Sequence, residues 1–198
     1  MKRTLLFVAV SLTAAGCSDS RVIVRANLDK GGEPVADMPV YLLPYDRVAL
    51  MDSLEKASER PEPTIPAELL QQLQRLSAPP RVPGDSTARL AALQRRQIQA
   101  RIDSIRGLRR KWREGVYAPF DSLAKNKAAE LGVDAAADTT DKAGLAAVPA
   151  DAGTYWLYAS YVLPHSTLEW NVRVKVPEGQ DSVVIPLTRA NARERPFY

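Results

Sequence analysis

Two blocks of strand-like sequence stand at opposite ends of this chain, and the hundred or so residues between them are helical and proline-rich in character. From Arg21 to Asp29, Val22, Val24, Ala26 and Leu28 share one face while Arg25 and Asn27 take the other, the period of two of a half-buried strand. Lys30-Gly31-Gly32-Glu33-Pro34 supplies turn chemistry, and Met38 to Leu43 makes a second extended run ending at Pro44, so the two read as a hairpin. The same signal returns at Thr154–Val162, Leu168–Val176 and Asp181–Thr188. In the middle run Trp170, Val172, Val174 and Val176 point inward against Asn171, Arg173 and Lys175. Pro186 marks the last run as an edge strand. Two strands alone are marginal, whereas five with an apolar face can bury a core. The blocks are therefore expected to form one split domain, 21–45 with 153–190. The predicted class is α+β, a small antiparallel β-sandwich interrupted by a long helical insertion, hairpin or coiled-coil-like, over 46–133.

Within the insertion, Val48, Met51 and Leu54 fall at helical spacing in Arg47–Ser58, and Leu69, Leu70, Leu73 and Leu76 do so in Ala67–Leu76. Pro61, Pro63 and Pro66 separate the two segments, and Ala78 to Gly84 is a stiff proline-rich connector. Ser86 to about Ala118 contains no proline and carries Leu90, Leu93, Ile98, Ile102, Ile105, Leu108, Trp112 and Val116 as a recurring apolar stripe. A helix of that length spans about 50 Å, so it is expected to project or to fold against the preceding helix. Pro119 should kink or end it.

Charge is concentrated on this helix. Ser86–Glu114 holds nine basic residues against Asp103 and Glu114, whereas the whole chain is only +4. Such a face suits anionic headgroups, a cell-wall polymer or an acidic protein, although long cationic stems also serve simply to cover apolar neighbours. The candidate partner-binding residues are Arg95, Arg106, Arg109, Arg110 and Trp112. The apolar stripe could equally pair with a copy of itself, giving self-association.

Asp134 to Gly153 is small, acidic and aperiodic, and 134–152 reads as a flexible linker. Residues 191–198 read as a C-terminal tail. Signals for catalysis are absent from the sequence. His165 is the one histidine, in a loop-like Leu163-Pro164-His165-Ser166, and no nucleophile elbow or phosphate-cradling glycine loop occurs. One histidine and one cysteine do not make an ordinary zinc set. No catalytic residue, metal or cofactor is therefore expected. Tyr155, Trp156, Tyr158, Tyr161 and Trp170 offer either cross-strand core packing or a platform for sugars.

The N-terminus adds an address. Lys2 and Arg3 precede a short apolar run that ends in Ala14-Ala15-Gly16-Cys17, and Leu5 to Ala15 is too short to cross a bilayer, which takes about 20 residues. This resembles a bacterial lipoprotein signal peptide. The resemblance implies cleavage after residue 16, lipidation of Cys17 and a short tether over 17–20. Ser18, where an inner-membrane retention signal would place aspartate, implies an outer-membrane position facing the periplasm. Without residues 1–16 the chain carries 25 basic and 23 acidic side chains. Near-neutral charge and an exported address argue against nucleic acid as a partner.

Gly32-Glu33-Pro34-Val35, with Val40 and Leu42, and the later Gly153, Tyr155 and Leu157 resemble the motifs of carboxypeptidase-regulatory-like and transthyretin-like sandwiches. That resemblance implies an accessory binding module rather than an enzyme. The functional expectation is a lipid-anchored envelope protein that binds or scaffolds an envelope protein or cell-wall polymer. The alternative is a cell-wall glycan-binding module or a carboxylate-dependent cell-wall enzyme.

Overall fold

A computed structural model describes residues 20–29, 32–77 and 86–196. Residues 1–16 and Cys17 lie outside that range. Alternating valines make β1 (Arg21–Ala26), and β2 (Pro39–Leu43) follows. Among the described residues the α-helices are α1 (Arg47–Ala57), α2 (Ala67–Leu76), α3 (Ser86–Tyr117) and α4 (Phe120–Leu131). The chain then returns to β3 (Ala136–Thr139), β4 (Leu145–Pro149), β5 (Gly153–Val162), β6 (Ser166–Val176), β7 (Ser182–Leu187) and β8 (Arg193–Pro196), with a 3-10 turn at Arg189–Asn191. The fold is mixed α+β.

The strands form two sheets, one ordered β4-β1-β7 and the other β3-β2-β5-β6-β8. The long β5–β6 hairpin runs from Gly153 opposite Val176 to Val162 opposite Thr167 and turns at Leu163–Ser166, leaving His165 exposed. Val22, Val40, Val148, Leu157, Trp170 and Leu187, each from a different strand and each fully buried, join one apolar cluster. Both sheets therefore contribute to a single core. The Trp170 indole N–H donates to Thr188 O at 2.8 Å and to Asn191 Oδ1 at 3.1 Å, so its one polar atom is satisfied inside that core.

Several expectations are corrected by this topology. β1 and β2 do not pair. A turn starts, with Gly32 N bonded to Asp29 O and an isolated bridge between Asn27 and Pro34, but Asp37 then adopts a left-handed φ of 57°. Met38 N next bonds Thr140 Oγ1 at 2.9 Å, which commits β2 to the other sheet. The β1–β7 pair is parallel, so the strands are not all antiparallel. Pro186 does lie on an edge strand, since β7 pairs only with β1 in its sheet.

The segment 134–152 is not a linker but holds β3 and β4. Its aspartates serve the backbone: Asp141 Oδ1 accepts from Ala143 N at 2.8 Å and Leu145 N at 2.9 Å, and Asp138 Oδ2 accepts from Ala147 N at 2.7 Å. An acidic run that reads as solvated chain is thus a turn built from Asp side chains. Gly144 closes it with φ 72°. Likewise 191–198 is not simply a tail, because β8 adds to the free side of β6.

Asp46 starts α1, its Oδ1 accepting from Ala49 N at 2.9 Å and from Asn171 Nδ2 of β6 at 2.8 Å. Beside it the Arg47 guanidinium lies 4.4 Å from the Phe120 ring centre of α4 and 4.8 Å from that of Tyr158 on β5. These contacts set the helical layer on the outer face of the five-stranded sheet. α3 ends before Pro119, as a missing N–H requires, and packs along α2. No described helix is long and apolar enough to cross a membrane.

Candidate functional site

Where α3 passes over the outer face of β5, β6 and β8, the two layers leave a cleft of about 1020 Å³. Arg106, Arg110, Arg113 and Tyr117 recur every three or four residues, so one side of α3 presents them together on one wall. The sheet supplies the other. Alternation places Tyr158 and Ser160 of β5 and Thr167 and Glu169 of β6 outward, opposite the core-facing Leu157, Ala159 and Leu168. Arg193 and Arg195 extend that wall from β8.

Most charges in the cleft are committed to one another. Glu62, in the connection between α1 and α2, accepts from Arg109 Nε at 2.7 Å and Arg113 Nε at 2.6 Å. Burial alone would raise the Glu62 pKa, but the hydrogen bonds and charges of the two arginines outweigh it and hold the carboxyl below its ordinary value. On the sheet, buried Glu169 accepts from the Tyr158 hydroxyl at 3.1 Å and sits 2.8 Å from Arg195 Nε. The Arg195 N–H does not point along that line, so the contact is an ion pair without a hydrogen bond. Burial, reinforced by the Glu169 charge, raises the Tyr158 phenol against the lowering effect of Arg47. Glu194 accepts from Ser166 Oγ at 2.6 Å and from Nε and Nη2 along one edge of the Arg189 guanidinium.

Two cleft arginines are left over. Arg110 on α3 and Arg193 on β8 are exposed, and their guanidinium groups have no hydrogen bond or ion pair to any described residue. The Ser160 and Thr167 hydroxyls are likewise uncommitted, as is the carboxylate of Glu114 at four residues from Arg110. The site therefore combines two available guanidinium groups on different walls with two available hydroxyls on the sheet wall. Chemically, that set has the donors an oxyanion on a polar frame would need.

The candidates read from the sequence are dispersed. Arg106, Arg109 and Arg110 line the cleft, but Arg109 is spent on Glu62 and Arg106 donates to Asp103 Oδ1 at 3.1 Å. Arg95 is exposed elsewhere on α3. Trp112 faces another side, where its indole N–H donates to Arg60 O at 2.8 Å and ties the inter-helix connection to α3. Cys17 lies outside the described residues. Of the aromatic strand residues, Tyr155 and Trp170 are in the core and Tyr161 packs against it, while Trp156 and Tyr158 take the outward face of β5 and Tyr158 carries Arg47 on its ring. Arg193, Ser160 and Thr167 were missed. The Arg-Glu-Arg alternation at 193–195 was the one signal for Arg193, and Ser160 and Thr167 had none.

The chain matches no protein-family model, no curated protein and no solved structure.

Proposed function

We propose that this is a lipid-anchored cell-envelope protein, held at the outer membrane through Cys17 and facing the periplasm, that acts as a binding or scaffolding module. In this reading the two sheets are a β-sandwich of the carboxypeptidase-regulatory-like or transthyretin-like kind. The helices are an insertion that shapes a binding cleft against one face. The signal-like residues 1–17 support the address. The observation that carries the binding role is the pair of unpartnered arginines, Arg110 and Arg193, on two walls of one cleft. A folded chain with solvated cations turned into a concavity is equipped to receive an anionic partner.

The test is a cross-linking pull-down from intact envelopes with the full lipoprotein and with the doubly reversed Arg110→Glu, Arg193→Glu chain. Capture of an envelope component by the parent and its loss in the reversed chain is the expected result. Equal capture by both would remove the cleft from the function. Recovery of the parent protein in the cytoplasmic fraction, unchanged by Cys17→Ser, would remove the anchor.

A further inference from the structure

The geometry points to an anionic saccharide as the ligand of the cleft between α3 and the β5–β6–β8 face, an inference that rests on the binding role proposed above. Arg110 and Arg193 take its carboxylate or phosphate from two sides, and Ser160 and Thr167 take its hydroxyls. Both arginines are free of intramolecular ion pairs, so binding an oxyanion breaks no contact already made. Guanidinium groups meet carboxylate and phosphate oxygens through paired N–H donors, which fixes orientation as well as charge. Serine and threonine hydroxyls both donate and accept, the property that matches sugar hydroxyls.

Three observations separate this ligand from other anions. A protein segment binds chiefly through aromatic or aliphatic anchors in apolar pockets, and here the one broad ring on the sheet wall, Tyr158, already carries Arg47 on its face. The walls are otherwise arginine, glutamate and hydroxyl side chains, with Met51 and Pro196 among the few apolar contributors. Glu114, uncommitted and close along α3 to Arg110, repels a densely charged polymer while leaving room for one oxyanion on a neutral frame. The volume of about 1020 Å³ is at the upper end for a small-molecule site and suits an oligosaccharide of a few units.

Calorimetric titration of the detergent-solubilised full chain tests this with four probes: maltotriose with its terminal C6 oxidised to a carboxylate, maltotriose bearing a 6-phosphate, neutral maltotriose and a hexaglutamate peptide. At least one charged sugar should bind, more weakly as salt rises, with maltotriose about tenfold or more weaker. The tighter of the two charged sugars assigns the oxyanion as carboxylate or phosphate. Arg110→Gln and Arg193→Gln should each weaken that binding about tenfold. Ser160→Ala should weaken it about fivefold. All three side chains are exposed, so the variants should melt with the parent. Failure of both charged sugars to bind, equal binding of maltotriose, or indifference to the arginine substitutions would overturn the inference. So would hexaglutamate binding as tightly as the better sugar, since that would mark a general cationic surface. A protein captured in the envelope pull-down through Arg110 and Arg193 would leave the binding role standing while this ligand failed.

Discussion

The two sheets and the helical layer are stabilised in different ways. Between the sheets, valine, leucine and tryptophan side chains from both sides are removed from water completely, so stability there follows apolar area. In the helical layer the buried apolar residues are few: Leu69, Ile102, Phe120 and Ala124. What joins its parts is polar. Glu62 bridges Arg109 and Arg113, Trp112 holds Arg60, and the Tyr117 hydroxyl donates to Glu55 in a short hydrogen bond. Apolar burial is not screened by dissolved ions and does not titrate, whereas exposed charged contacts are screened by salt and are lost when pH carries one partner through its pKa. The layer that forms the cleft wall is therefore the adjustable part of the molecule, and the sheets are its fixed support.

Substitution in the sheets should break the whole fold. Trp170→Ala removes the largest fully buried side chain, leaves a cavity shared by both sheets and takes away one of the donors to Thr188 O and to Asn191 Oδ1. The expected loss is about 3–5 kcal/mol, read as a single cooperative shift in urea unfolding that abolishes sheet and helix signals together. If the helices survived after the sheets had melted, the idea that the sheets support them would be wrong. Gly144→Ala should cost less, about 1–3 kcal/mol, because a left-handed φ is strained for alanine. Its Cβ would also meet Ala26 O at 2.5 Å, pushing the turn before β4 away from β1. Hydrogen exchange should place the damage at β4 and β1, and equal loosening of α3 would contradict the division between the two regions.

The same contrast explains what could be read from the sequence. Apolar alternation is a direct record of burial, so β1, β5, β6 and β7 were legible almost to their ends. β3 and β8 were not, because they are short, largely polar and pair through backbone atoms that carry no sequence signature, and β4 was not, because its buried Ala146 and Val148 stand among small residues too few to show a period. On α3 the eight-residue apolar stripe divides in two. At 100° per residue, Ile98, Ile102, Ile105 and Val116 cluster on one side, with Ile102 1% exposed, while Leu90, Leu93 and Leu108 lie roughly 80–140° round the helix from the centre of that side. Those three are 60%, 54% and 57% exposed. Spacing counted loosely as threes and fours merged two faces that strict angular accounting keeps apart. The site was legible on α3 alone, since charge density marked Arg106 to Arg113 but no local pattern could tell which arginine finds Glu62 and which is left unpaired.

The smallest effect is the sharpest probe of the polar layer. Glu62 has a folded pKa below its ordinary value, so the charged carboxylate is favoured in the folded state. The sign follows: its contribution is present at pH above the ordinary glutamate range and is lost as pH falls through the depressed folded value. Tyr117 acts in the opposite direction. Burial first, and then the Glu55 hydrogen bond and charge, raise its pKa, so its contribution is present below the ordinary tyrosine value and declines as pH rises beyond it. Glu62→Gln keeps the shape and removes the charge, and about 1 kcal/mol of local stability should go with it. Amide exchange at neutral pH should quicken in the half of α3 that carries Arg109 and Arg113 while β5 and β6 stay protected. The parent should reproduce that pattern on acidification, whereas the variant should respond less to acid because the titrating group is gone. Uniform loosening of sheets and helix in Glu62→Gln would mean that the polar clamp and the apolar core form one cooperative unit, and the cleft wall would then have no freedom to adjust to a ligand independently of the sheets beneath it.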